Sequence, residues 1–206
     1  MGIETIIIIL GVVLVIYFLY HMIYTYSEIK YVKSDLDGKV YLIRRGNNKS
    51  EKFLKDSANT LAGINKNIVK LVDYLFKNYS NHDDKFYFIK KLKENYKPYI
   101  ISEAAVDPRY TTYTIDKSDM HICLRTRDTN ENIYDMNILM YVVIHELAHV
   151  CNYNKNGKAI LGHGSEFRFI FKFLVEESIK LGIYNHVNYS VEPREYCGIM
   201  ITTSII

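Results

Sequence analysis

Tryptophan is absent from this 206-residue chain, prolines number three and glycines ten, and no Pro/Gly-rich linker or internal repeat divides it. Those scarcities exclude a collagen-like or low-complexity chain. An apolar share of 49% is enough to fill a core. Charge of one sign is also scarce. A net +3 lacks the dense basic face that a nucleic-acid-coating protein needs, so nucleic acid is not expected as the main ligand. Cysteine appears three times, as Cys123, Cys151 and Cys197, with no CxxC spacing. The expectation from spacing is free thiols in a reducing compartment, with neither a disulfide framework nor a cysteine-cluster metal site.

What the chain does have is a long apolar run at its N-terminus. Residues 5 to 20 read TIIIILGVVLVIYFLY, and no Asp, Glu, Lys or Arg follows until Glu28. As a helix, residues 5–26 extend roughly 33 Å, enough to cross a hydrocarbon layer of about 30 Å. A cleaved signal peptide wants a basic start and small residues at the cleavage site; here the start carries Glu4 and the far end carries Tyr17, Tyr20, Tyr24 and Tyr26. The expectation is an uncleaved anchor over residues 1–27, with those tyrosines near the interface, and a single domain over residues 28–206. Lys30, Lys33, Lys39, Arg44 and Arg45 follow the span, which puts the domain on the cytoplasmic side of a single-pass membrane protein.

Within the domain, patterning predicts a strand at Val40–Arg44 and helices over Ser50–Asn78 and Asp83–Tyr96. Strands follow at Thr111–Ile115 and Met120–Thr126, then helices over Ile133–Tyr153 and Ser165–Leu181. Basic clusters such as Lys90/Lys91/Lys93 read as solvated faces.

The third helix carries His145-Glu146-Leu147-Ala148-His149, the HExxH pattern. Positions i and i+4 share a helix face, so both imidazoles aim at one point, as two nitrogen ligands of a Zn2+ ion do. Glu146 is placed to act on a water as the catalytic acid/base. The flanking MNILMYVVI is apolar on nearly every face, so the helix is buried, and ionisable groups in its middle need a partner or a metal. A third ligand is predicted at His163, which lies between Gly162 and Gly164 just before a helix with Ser165 as its expected N-cap. The competing third ligands are Glu166, Glu176, Glu177, His121 and His186.

The segments NILMYVVIHELAH, GHGSEFRFIFKFLVEESIKLGIY and EPREYCG together resemble the WLM/SprT-like zinc metallopeptidases, especially the WLM-domain proteins of large DNA viruses. HExxH alone is common to many families; its combination with GHGxEF is far more specific. The resemblance implies an α+β, zincin-like (minigluzincin/SprT-like) helical domain with a small sheet. It also implies His145, His149 and His163 as zinc ligands, Glu146 as the catalytic residue, and a virion or host internal membrane as location. The longer gap between HExxH and His163 is nearer the SprT pattern than that of cellular WLM proteins. The function expected is a membrane-anchored, zinc-dependent endopeptidase acting on a protein or peptide. Met120–Arg125 is the expected edge strand for substrate, and Tyr196 of EPREYCG a possible oxyanion donor. The alternatives are a catalytically silent, zinc-stabilised tethered protein and a DNA-associated protease of protein crosslinks.

Overall fold

The computed structural model describes every residue except 1, 47, 48, 82, 83, 99 and 108, and the side chains of 24–27. Its first element, α1 (Ile3–Glu28), is apolar on all sides, and no part of the hydrophobic stretch Ile3–Ile23, of mean hydropathy 2.8, is covered by the rest of the protein. A helix that is apolar all round buries itself in a core or in lipid, and this one touches no core. It is long and apolar enough to cross a membrane. Tyr17 and Tyr20 lie exposed on it; the side chains of Tyr24 and Tyr26 fall outside the described residues.

The chain leaves α1 directly into a hairpin, β1 (Ile29–Lys33) and β2 (Val40–Arg44), paired antiparallel from Ile29↔Arg44 to Lys33↔Val40. Alternation sends Val32, Tyr41 and Ile43 inward against the long helix α2 (Glu51–Tyr79). Ser50 caps α2, its hydroxyl accepting the Phe53 N–H at 3.2 Å. Leu54, Ala58, Leu61, Ile68, Leu71 and Leu75 recur at helical spacing and are buried. The next helix, α3 (Phe86–Asn95), starts later than patterning suggests; the expected start at Asp83 lies outside the described residues.

Three short strands follow: β3 (Ile101–Glu103), β4 (Tyr113–Ile115) and β5 (Asp119–Ile122), in the order β3-β5-β4. The β4–β5 turn holds Asp116 and Lys117 at φ of 49° and 56°, the left-handed region that a tight hairpin turn demands. Helix α4 (Met136–Cys151) is capped by Asp135, which accepts the N–H groups of Asn137 and Ile138. It packs between α3 and α5 (Ser165–Lys180), with β4 alongside. Gly164, not Ser165, stands at the N-cap of α5. The chain then forms the hairpin β6 (Arg194–Tyr196) and β7 (Ile199–Ile201), and an extended C-terminal segment lies against the core. The architecture is α+β, with five helices and small sheets among the described residues.

One ion network and one covalent link tie these layers together. Arg125, only 1% exposed, pairs with Glu103 at 2.8 Å, and Arg44 reaches Glu131 at 3.1 Å, fastening β2 to β3 and to the loop after β5. Cys123 and Cys197 form a disulfide across 74 residues, joining the end of β5 to the β6–β7 turn. This overturns the expectation of three free cysteines. Spacing rules register only local pairs, whereas here the fold brings distant Cα atoms to 6.3 Å. Cys151 remains a free, buried thiol. The cysteine argument for a reducing compartment falls with this pair, leaving the charge asymmetry around α1 as the argument for orientation.

Candidate metal centre

Beyond Met136 and Asn137, helix α4 is enclosed by its neighbours except along one stripe, where Val142, His145 and His149 are half-buried. The turn preceding α5 reaches over that stripe. Gly162, at φ 76°, lets the chain double back, and His163 arrives beside both imidazoles. Its Nε2 lies 3.1 Å from that of His145 and 3.0 Å from that of His149. Phe167, one turn into α5, lies against all three rings with centroids at 4.9, 4.3 and 4.7 Å. The apolar face of α5 thus sets the height of the cluster.

The three nitrogens fit a metal. Ligands about 2.0–2.1 Å from a tetrahedral zinc stand about 3.3 Å apart, close to the spacings found. A single hydrogen on His163 Nε2 satisfies only one of its two neighbours, so the cluster cannot pair all of its own lone pairs, whereas a cation can. Burial, reinforced by the neighbouring imidazoles, pushes His145 down to about 3; burial, His163 and Lys117 push His149 down to about 4. Both are therefore neutral at physiological pH, the state in which imidazole ligates.

Glu146 lies beside the cluster, 8% exposed, with Oε2 accepting a 2.9 Å hydrogen bond from the Thr114 hydroxyl on β4. Burial pushes its carboxyl up to about 7, against the lowering pull of that bond. Lys117, on the β4–β5 turn, donates to the carbonyls of His149 at 2.6 Å and Asn152 at 3.3 Å, closing the C-terminal end of α4. Thr114 and Lys117 were not singled out from the sequence. Patterning predicts the strand of Thr114 and the turn of Lys117, but no local signal says which strand lies against Glu146.

Two expectations are corrected. The segment Met120–Arg125 is not an edge: its β5 portion is the central strand, paired to β3 on one side and β4 on the other. The edge beside Glu146 is β4. Tyr196, 1% exposed, borders the same cavity as His145 and Glu146, with its hydroxyl engaged by partners within the protein in place of a free oxyanion-donor position. Its hydroxyl donates to the Cys123 carbonyl at 2.9 Å and accepts from Thr112 at 2.5 Å, while Thr112 Oγ1 accepts the Cys123 N–H at 3.0 Å. That closed ring uses the tyrosine's proton to join the C-terminal hairpin to β5.

The competing third ligands lie elsewhere. Glu166 accepts a hydrogen bond from Tyr87, Glu176 pairs with Lys172 and Glu177 with Lys180. His121 stacks on Tyr113 with Nδ1 bonded to Ser102, and His186 is exposed. Glu146 borders two cavities of about 360 and 290 Å³, so a cleft extends to both sides of the cluster.

Fold and cluster together define a class: an α+β domain behind an apolar N-terminal helix, with three histidines and a buried glutamate converging in a cleft. The chain belongs to the family of "Uncharacterized protein R325" of Acanthamoeba polyphaga mimivirus, with which it is 38% identical over 183 residues, 88% of this chain and 87% of that protein. It is also 32% identical over 100 residues to "Uncharacterized protein 136R" of Invertebrate iridescent virus 6, covering 48% of this chain and 51% of the relative. A third viral relative, "Uncharacterized protein 042R" of Invertebrate iridescent virus 3, is 36% identical over 89 residues, 43% of this chain and 50% of its own length. No family model and no solved structure matches the chain.

Proposed function

We propose that this protein is a zinc-dependent endopeptidase of the zincin-like, WLM/SprT type, held at a membrane by α1 with its domain on the cytoplasmic side. The observation that carries the reading is the convergence of three imidazole nitrogens next to a carboxylate that is not itself one of the three. A purely structural site has no use for a buried glutamate pushed to about 7 beside its ligands.

His145, His149 and His163 would hold the ion. Bound zinc supplies a Lewis acid that polarises a peptide carbonyl and makes water a nucleophile at neutral pH. Glu146 supplies the proton traffic. With Oε2 held by Thr114, Oε1 would take a proton from the attacking water and return it to the leaving amine. Edge strand β4 offers main-chain groups to an extended peptide, and the two arms of the cleft give that peptide room on either side of the scissile bond.

The test is Glu146→Gln in the full chain, purified in detergent and loaded with zinc. Metal content is expected to remain at one ion per chain, while hydrolysis of an unfolded protein substrate falls by at least about 100-fold. Turnover equal to wild type would remove Glu146 from the chemistry. A wild-type protein that binds no zinc would remove the reading altogether.

A further inference from the structure

The hairpin β1–β2 is apolar on both of its faces. Val32, Tyr41 and Ile43 point into the core, which leaves the cross-strand pairs Ile29↔Arg44, Tyr31↔Leu42 and Lys33↔Val40 on the other side. A sheet packed on one side ordinarily turns polar residues outward. Here four of those six residues are apolar, two are basic and none is acidic. Tyr31 is 71% exposed and Val40 58%, and Leu36 in the connecting turn is 67% exposed. We infer that this face is a second membrane contact, lying on the anionic headgroup layer of the membrane that α1 crosses. The inference rests on the reading of α1 as an anchor and fixes how the domain sits on the surface.

Continuity, charge and side-chain type support it. No linker separates anchor from hairpin, because α1 ends at Glu28 and β1 starts at Ile29. The apolar stretch of α1 ends at Ile23, so residues 24–28 add roughly 7 Å of helix, about the depth of one headgroup layer. The hairpin therefore starts at the membrane surface. Its acids are engaged within the protein: Asp35 pairs with Lys55 at 2.8 Å, and Asp37 accepts the Tyr41 hydroxyl at 2.7 Å. Lys33 stands exposed opposite Val40, where the negative potential of an anionic leaflet attracts it. Tyrosine and aliphatic side chains next to lysine suit the interface, since ring and methyl groups leave water while the ammonium stays hydrated. The face also leads toward the histidine cluster. Leu42 and Arg44 line a cavity of about 610 Å³ together with Tyr113, which borders the 290 Å³ arm of the cleft as well. A hairpin held on lipid thus keeps the cluster at a constant height above the surface.

Because the chain has no tryptophan, Tyr31→Trp installs a single fluorescent reporter on the face. The full chain carrying it is placed at one copy per lipid nanodisc, in phosphatidylcholine with about one-third phosphatidylserine. Lipid brominated high on its acyl chains is expected to quench this reporter at least about two-fold more than one installed by Val191→Trp, which is 79% exposed in the loop after α5. Adding Lys33→Glu and Val40→Asp, both at exposed positions outside the core, should remove at least about half of the quenching while the protein stays in the disc. Phosphatidylcholine alone should also weaken it. Quenching no stronger than at Val191, or quenching indifferent to both the double variant and the lipid charge, overturns the inference. So does quenching that appears only at two copies per disc, where a second copy covers the face. The anchor reading fails separately. A protein that does not enter discs removes the anchor and the face together, whereas one that enters them with an unquenched reporter keeps the anchor and removes the face.

Discussion

His163 is the one member of the cluster supplied by a loop, so its contribution to metal binding rests on how well that loop is held. Gly162 provides the turn and Phe167 the platform beneath the ring. Glu177, by contrast, is 1% exposed and paired with Lys180 three turns along α5. Zinc titration of the full chain should therefore show a loss of at least about 100-fold in affinity for His163→Ala and none for Glu176→Ala. Full-strength binding by His163→Ala would reassign the third ligand. The same residues predict a pH dependence of the metal-free fold. His145 and His149, held at about 3 and about 4 instead of 6.5, take up protons more readily in the unfolded chain, so stability falls as pH drops below 6.5. Glu146 acts oppositely: its folded value of about 7 exceeds 4.5, so its burial penalty is full above pH 7 and disappears towards 4.5. Two histidines outweigh one glutamate, and the net change on acidification is a loss. Urea unfolding of chelator-treated protein at several pH values should show a midpoint that falls with pH. Glu146→Gln should raise the midpoint near neutrality, by up to about 3 kcal/mol in stability, and make the fall steeper. A midpoint that rises on acidification would contradict the assignment of His145 and His149, and one unchanged near neutrality in Glu146→Gln would contradict that of Glu146.

Among the elements, α4 depends on β4 and the turn that follows it at both ends of the segment 145–149. Thr114 holds Glu146, and Lys117 closes the last carbonyls of the helix with a charged donor. Lys117→Met should cost about 1–3 kcal/mol in thermal or urea unfolding and weaken zinc binding, because His149 sits in the turn that frays. Lys91→Met, which removes an exposed pair with Glu94 and an ammonium 5.5 Å from the Tyr153 ring, should cost far less stability than Lys117→Met and leave zinc binding unchanged. The elements readable from sequence are those whose signal is local. The bounds of α2, the His145/His149 pair and strand β2 are legible to within a residue or so. What escaped was set by distant partners. The strands β3, β6 and β7 have three residues each, too few for alternation to register, and β1 was hidden by its junction with α1. The order β3-β5-β4, which makes β4 the edge and gives Glu146 its partner, is a property of pairing between strands and of no single strand. The tyrosine ring through Thr112 and Cys123 is likewise invisible until residues 73 or more apart meet.

For the whole molecule, the anchor proposed for α1 and the disulfide make opposing demands. The basic residues after α1 favour retention of the domain on the cytoplasmic side. In the folded domain Lys30 is paired with Glu51 and Arg44 with Glu131, which reduces the free charge near the helix end. Insertion, however, precedes folding, and the emerging chain presents all five cations unpaired, so the charge rule applies to it undiminished. The disulfide forms only later, when folding has brought Cys123 to Cys197, and on the cytoplasmic side it needs a dedicated oxidant. Closing a loop of 74 residues is worth about 4 kcal/mol by the chain-entropy account, enough to decide whether the C-terminal wall of the cleft stays in place. Full-length protein in sealed microsomes should therefore resist carbonate extraction and expose its domain to added protease. Thiol trapping of the same membranes should show whether Cys123 and Cys197 are already joined. A protease-protected domain with the disulfide formed would reverse the orientation and place the histidine cluster in the lumen. An accessible domain with free thiols would leave the orientation standing, and oxidation should then raise the unfolding midpoint of the purified protein.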